Sequence, residues 1–419
     1  KELKFSASKP SFDVLTEFSF VWEAQERGED WYRIHDLLRR LDYEEDNETT
    51  RQAHEVLEKY YREEGEIAEA IYHANRLDWE RGVKEWLDEF EKVLELSRYD
   101  ECRILLEIRN ELIIQDDFWL GYISESKGYY FATLAQYQQA EQEYLEAIAS
   151  YDKVIKVAPD DIYAHNNKGL ALENLGNLQA VLSQHQQALN SYTQAIASFD
   201  EALNRAPDYI NAHNNKGIAL ENLGNLQAVL SQHQQALNSY TQAIASFDEA
   251  LNRAPDDINA HNNKGIALGS LGDLQTYLSQ HEDALISYTQ AIAFFDEALN
   301  RAPDNINAHN NKGIALQSLG DLQAGLSQHQ QAQNSYTQAI ESYNQALNRA
   351  PDDIYPHNNK GIALKSLGDL QTDLSQKEEA IKSYQAALAE FDRCLKIVPD
   401  NKQVRNLRDE LQELLDDLK

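Results

Sequence analysis

Between residues 164 and 211, apolar side chains fall into two stripes of helical spacing. Ala171, Leu172, Leu175, Leu178 and Leu182 form the first. Ala188, Leu189, Tyr192, Ala195, Ile196, Phe199, Ala202 and Leu203 form the second. Ser183, Gln184 and His185 separate them, and Pro207 with Asp208 closes the segment. The pattern predicts a helical hairpin with its turn near Ser183, where the serine is placed to cap the second helix. Neither stripe finds a partner large enough within one hairpin, so each must be covered by a neighbouring unit.

That neighbour is a copy. The run His-Asn-Asn-Lys-Gly begins at His165, His213, His261, His309 and His357, at a constant step of 48 residues. Residues 164–211 and 212–259 differ only at Leu170/Ile218 and Tyr209/Asp257. A period of this size marks stacked supersecondary units. One step back from Gly169, Gly176, Tyr192, Ala195 and Pro207 lie Gly121, Gly128, Tyr144, Ala147 and Pro159, which define a sixth, worn unit. The regular array is expected over residues 116–403, with a charged capping helix over 404–419.

Gly169, Leu172, Gly176, Ala195, Phe199, Ala202 and Pro207 resemble the tetratricopeptide pattern of Gly, large apolar, Gly, then Ala, aromatic, Ala, Pro. The resemblance implies an all-α, right-handed solenoid of antiparallel helix pairs. The family period is about 34 residues, and the excess here is read as about seven residues added to each helix. Seven residues is close to two turns, so both helices lengthen without rotating their buried faces. A separate inserted loop would not keep Leu175, Leu178 and Leu182 in phase.

Residues 1–45 have a different character. Phe12–Phe18 reads as a short helix, Ser19–Ala24 and Trp31–Ile34 as strands around a charged turn, and His35–Leu41 as a second helix. Tyr32–Arg39 resembles the end of the winged helix in STAND/NB-ARC signalling ATPases, with Ile34 where that family has the Met of its Met-His-Asp signature. The resemblance implies that His35 contacts nucleotide in a longer parent chain. Such ATPases often carry tetratricopeptide arrays downstream, the order found here. The plainer reading is that His35 and Asp36 start a helix, with Asp36 favoured by the dipole. Residues 46–115 read as irregular repeat-like helices at Arg51–Glu64, Ile67–Arg76, Trp79–Leu96 and Tyr99–Glu111.

The formal charge of −32 argues against nucleic acid and anionic membranes as partners. No apolar run approaches the ~18 residues of a membrane span, and the opening stretch lacks the apolar core of a signal peptide. Cys102 and Cys394 are far apart in the sequence and read as reduced thiols of a cytoplasmic protein. Methionine is absent even at residue 1, as expected of a piece of a longer product.

No phosphate-binding loop, nucleophile elbow or paired metal-ligand spacing occurs, so neither catalysis, metal nor cofactor is expected of this chain. The recurring histidines read as packing residues, and as polar tips at His185 and its copies. The candidate site is an amide ladder: Asn166, Asn167, Asn214, Asn215, Asn262, Asn263, Asn310, Asn311, Asn358 and Asn359. In the tetratricopeptide family this helix lines the concave surface, and the match of Asn167 bonds a bound peptide backbone. A solvated polar groove is the alternative. Two columns vary between otherwise copied units and are expected beside the ladder. One contains Tyr163 and Tyr355; the other contains Glu173, Glu221, Gln317 and Lys365. Drift on a wet face would account for them equally. Lys168 and its copies are placed to offset Glu173 and Glu221. The expected partner is a protein or peptide, sensed on behalf of a STAND-type ATPase or, alternatively, gathered by a stand-alone scaffold.

Overall fold

The computed structural model describes residues 2–4, 21–23, 31–34 and 48–418. The chain divides into two compact units, residues 1–126 and 127–419. In the first, β1 (Glu2–Lys4), β2 (Val21–Glu23) and β3 (Trp31–Ile34) form an antiparallel sheet of order β1-β3-β2. Val21 pairs with Ile34 and Glu2 with Arg33. β2 and β3 fall on the two stretches whose alternation predicts strands and pair antiparallel; the charged turn expected between them lies outside the described residues. The expected helices at Phe12–Phe18 and His35–Leu41 lie outside the described residues, as does His35.

Helices α1 (Glu48–Glu63), α2 (Ile67–Leu77), α3 (Trp79–Glu95) and α4 (Tyr99–Arg109) follow, within a few residues of the periodicity. Their core is built on Ile71, Val83, Trp86 and Phe90, and the Trp86 indole N–H donates to the Leu105 carbonyl at 2.7 Å.

The worn unit supplies α5 (Asp117–Thr133) and α6 (Tyr137–Val157). Five regular hairpins come next. Their first helices, called A, are α7 (Ile162–Val181), α9 (Ile210–Val229), α11 (Ile258–Tyr277), α13 (Ile306–Gly325) and α15 (Ile354–Asp373). Their second helices, called B, are α8 (His185–Arg205), α10 (His233–Arg253), α12 (His281–Arg301), α14 (His329–Arg349) and α16 (Lys377–Ile397). α17 (Lys402–Leu418) ends the array and buries Val404, Leu411 and Leu415. A helices have 20 residues and B helices 21, so the added length is shared between both arms.

Each turn falls at the expected serine, but the serine does not cap the second helix. Ser183, Ser231, Ser279, Ser327 and Ser375 all sit at φ of 58–59°, in the left-handed region. They end the A helix instead. The Ser183 N–H donates to the Ala180 carbonyl at 3.0 Å and the Gln184 N–H to the Gln179 carbonyl at 2.8 Å, closing the helix end in the manner usually left to glycine. A β-carbon in this region is unfavourable by about 1 kcal/mol. Ser231→Gly is therefore expected to stabilise the chain by up to about 1 kcal/mol, less the entropy glycine adds to the unfolded state. Thermal melting checks it, and a lower melting temperature would contradict this account.

Glycines on each A helix admit aromatic rings from its B helix. A β-carbon on Gly169 would lie 2.5 Å from the Phe199 ring and one on Gly176 2.7 Å from the Tyr192 ring. The worn unit uses the same device at Gly128 and Tyr144. Cores then form between units. Leu172, Ala195 and Phe199 pack with Ala219, and Ala188 and Tyr192 pack with Leu223 and Leu226. Consecutive A helices touch one another while consecutive B helices keep further apart, so the array curves toward its A helices. Among the described residues, no helix is long and apolar enough to cross a membrane.

Candidate functional site

The columns of equivalent residues on the A helices behave differently once neighbouring units are in place. The amide ladder is the first. Asn166 and Asn214 are buried, and Asn167, Asn215, Asn262, Asn263, Asn310, Asn311, Asn358 and Asn359 are half-buried. A ladder of amides all open to a ligand or to water, as either reading of the sequence requires, is not what the structure shows, because several of them bond to each other across repeats. Asn215 Nδ2 donates to Asn166 Oδ1 at 3.1 Å, Asn311 to Asn262 at 3.2 Å and Asn359 to Asn310 at 3.1 Å. Asn214 turns to Asp257 Oδ2 at 3.1 Å. Asn214 Oδ1 and Asn358 Oδ1 have no hydrogen-bond partner, so the ladder is interrupted after Asn214 and ends at Asn358, where Leu407 stands one step beyond Asn359. Asn215→Ala is thus expected to cost about 1–3 kcal/mol of stability by stranding the Asn166 oxygen. A melting curve unchanged from wild type would restore the free-ladder reading.

The second column is a row of carboxylates. Glu173 is buried, not set in an open groove as the sequence suggests; its Oε1 accepts from Asn177 at 2.7 Å and from Asn222 of the next unit at 2.7 Å. Glu221, half-buried, accepts from Asn225 at 2.6 Å and Ser270 at 3.0 Å. In the next three units this column holds Gly269, Gln317 and Lys365, and the acid has moved one turn along to Asp273, Asp321 and Asp369. Each repeat therefore keeps one carboxylate across the two columns. The Tyr192 and Tyr240 hydroxyls donate to Asn177 and Asn225 at 2.7 Å, whereas Tyr288, Tyr336 and Tyr384 donate to Asp273, Asp321 and Asp369 at 2.6–2.8 Å. The variation is an exchange between neighbouring turns rather than drift, legible only when both columns are read together. Gln317 accepts from Tyr343 at 3.3 Å, and Lys365 pairs with Asp369 at 2.7 Å.

Burial pushes the Glu173, Glu221, Asp273 and Asp321 carboxyls above their ordinary range, against the hydrogen bonds that favour their charged forms. Lys168 does not offset these acids; it pairs with Asp152 on the preceding B helix at 2.6 Å, as Lys216 does with Asp200. The His165 ring Nε2 meets the Pro159 carbonyl at 2.9 Å and His213 that of Pro207 at 2.8 Å, so this column fastens each A helix to the loop before it.

The open face of the A helices carries the remaining columns. Tyr163 and Tyr355 are exposed at its start, and Val181, Val229 and Tyr277 are exposed at its end. A column of Leu170, Ile218, Ile266, Ile314 and Ile362 runs midway, half-buried except at the exposed Ile314. Val181, Val229 and Tyr277 were not singled out from the sequence, although one column that holds two valines and a tyrosine just before a turn is a visible signal. No cluster of three or more His, Cys, Asp or Glu side chains able to hold a metal occurs among the described residues.

This geometry is that of a repeat solenoid, and family models match parts of it. The family model described as TPR repeat matches residues 139–176 and 332–368, and that described as tetratricopeptide repeat matches residues 181–228. Within those residues the chain carries tetratricopeptide repeats. No curated protein sequence matches it. Among solved structures, it is similar to the apo quorum sensor NprR from B. thuringiensis, with 18% identity, 80% of this chain and 82% of that one covered, and a TM-score of 0.47. It is also similar to BtubC (BKLC) from P. vanneervenii, at 16% identity over 63% of this chain and 91% of that one, with a TM-score of 0.46. A third is YrrB, a TPR protein with an unusual peptide-binding site, at 17% identity, 62% and 97% coverage and a TM-score of 0.30.

Proposed function

We propose that the array binds an extended segment of a protein partner along the open face of its A helices. The observation that carries this reading is where large apolar side chains are left exposed in the five regular units. Every A helix has at least one, from Tyr163, Val181, Val229, Tyr277, Ile314 and Tyr355; the B helices have only Ile286 and Ile397. Exposed apolar groups gathered on the inner side of a curved solenoid, beside hydrogen-bonding side chains, suit a partner that buries them. The half-buried amides act as rim and mortar, since most of their bonds are already made.

The test is selection of a random twelve-residue peptide library displayed on phage against the purified chain. Peptides are expected to enrich on wild type and not on Val229→Asp/Ile314→Asp, with both proteins melting alike. Absence of enrichment, or equal enrichment on the variant, would remove the groove.

A finer reading makes this array the sensing region of a STAND-type ATPase. What supports it is the β2–β3 pairing, with Val21 opposite Ile34, immediately before the His35-Asp36 pair. In a longer chain that retains nucleotide, His35→Ala should speed nucleotide release; unchanged release would leave the stand-alone scaffold as the better reading.

A further inference from the structure

Two glycines in the array have no packing reason to be glycine. Those facing Phe or Tyr rings, such as Gly265 and Gly272, would bring an added β-carbon within 3 Å of the ring. At Gly269 and Gly325, an added β-carbon meets nothing within 4 Å. Glycine inside a helix is disfavoured against residues that carry a side chain. They lie in consecutive units, Gly325 at the end of the open face and Gly269 in the neighbouring column beside it. Gly269 takes the place of Glu173 and Glu221, and Gly325 that of Val181, Val229 and Tyr277.

Each glycine opens a hollow. One of about 120 Å³ is lined by Ile266, Gly269, Phe295 and Ile314. The other, of about 410 Å³, is lined by Leu322, Gly325 and Asp321. Asp273, Tyr288 and Ser318 border both, so the two adjoin across one repeat junction. The floor of the smaller hollow is apolar and its rim acidic.

We propose that this double hollow is the selective subsite of the groove and takes one lysine or arginine side chain of the bound segment. The aliphatic stem lies on Ile266 and Ile314, and the cation reaches Asp273 and Asp321. The proposal rests on the groove reading above. An apolar side chain would fill the same space but would cut two carboxylates off from water with no compensation. A cationic tip on an aliphatic stem matches both the floor and the rim. Asp273 and Asp321 also repel each other, which a shared cation relieves.

The peptides enriched on the wild-type chain, remade with a fluorescent label, provide the probe. Three results are expected together: the peptides share a Lys or Arg, changing that residue to Met weakens binding at least tenfold, and Gly269→Leu does the same by filling the smaller hollow. Asp273→Asn/Asp321→Asn should also lose at least tenfold while folding normally, because Asn177 and Asn225 already accept the tyrosine hydroxyl in earlier units. The same charge change at the exposed loop residues Asp208 and Asp256 should leave affinity within twofold. Gly269→Ala, which the open space accommodates, guards against a folding defect in the leucine variant and should weaken binding about threefold. Peptides that bind without a basic residue, that ignore Gly269→Leu, or that lose as much at Asp208 and Asp256 would overturn the subsite and leave the groove standing. No enrichment at all would overturn both.

Discussion

Gly217→Ala should destabilise the array by about 1–2 kcal/mol, even though alanine is the better helix former. The gain in helix propensity is about 1 kcal/mol. Against it stands the Phe247 ring, which an added β-carbon would approach to 2.5 Å in a fully buried setting. Overpacking of this kind costs roughly 1–3 kcal/mol and more where neighbours cannot yield. Phe247 is fixed by Leu220, Ala243 and Ala267, drawn from three helices in two units, so it has little room to move. Gly269→Ala, one turn further along the fold's equivalent helix in the next unit, should do the opposite and stabilise by about 0.5–1 kcal/mol. Adding Phe247→Leu to Gly217→Ala should recover part of the loss, a non-additivity that reports the contact itself. Melting of these three variants and of Phe247→Leu alone checks the account. If Gly217→Ala and Gly269→Ala move the melting temperature the same way, ring insertion does not fix the glycine pattern.

Lowering the pH from about 8 to about 5 should raise the melting temperature. Glu173 and Glu221 have folded-state pKa values above the ordinary carboxylate range, chiefly because burial disfavours their charge. A group raised in this way stabilises the fold fully below its unfolded pKa of about 4.3 and loses that contribution as pH climbs through the folded value. Asp273 and Asp321 shift in the same direction but are more open to water, so they add less. The excess negative charge, −32 in the full chain, falls over the same interval and relieves self-repulsion. Glu390 works the other way: against the effect of its own burial, Lys360 and His357 together hold its carboxyl below the usual range, and that contribution fades as the pH drops further. Glu173→Gln keeps an oxygen for Asn177 and Asn222 and removes the charge. It should melt higher than wild type at pH 8 and flatten the pH dependence. A wild-type melting temperature that falls steadily from pH 8 to 5 would mean that these carboxyls are not buried as described.

Much of the site was misread from sequence for one reason. Asn167 and Asn215 look identical on a helical wheel, and a wheel contains a single repeat. Whether such an amide faces a ligand or its own copy depends on how far each hairpin rotates against the next. The bond from Asn215 to Asn166 joins residues 49 apart and has no local signature. Glu173 illustrates the same point: its burial comes from Asn222, on the following unit.

What the sequence determined by itself was what local pattern sets: the 48-residue step, the turn at Ser183 and its copies, and two long helices of roughly equal length in each unit. Apolar phase and chain-breaking residues act within a few turns, so they can be read along the chain. The tertiary structure alone decided which polar columns join one repeat to the next and which remain open. It also decided that the serine at each turn ends a helix instead of starting one, and that Gly269 and Gly325 open hollows where other glycines receive rings. Those outcomes depend on side chains a full repeat away, brought together only when the hairpins stack.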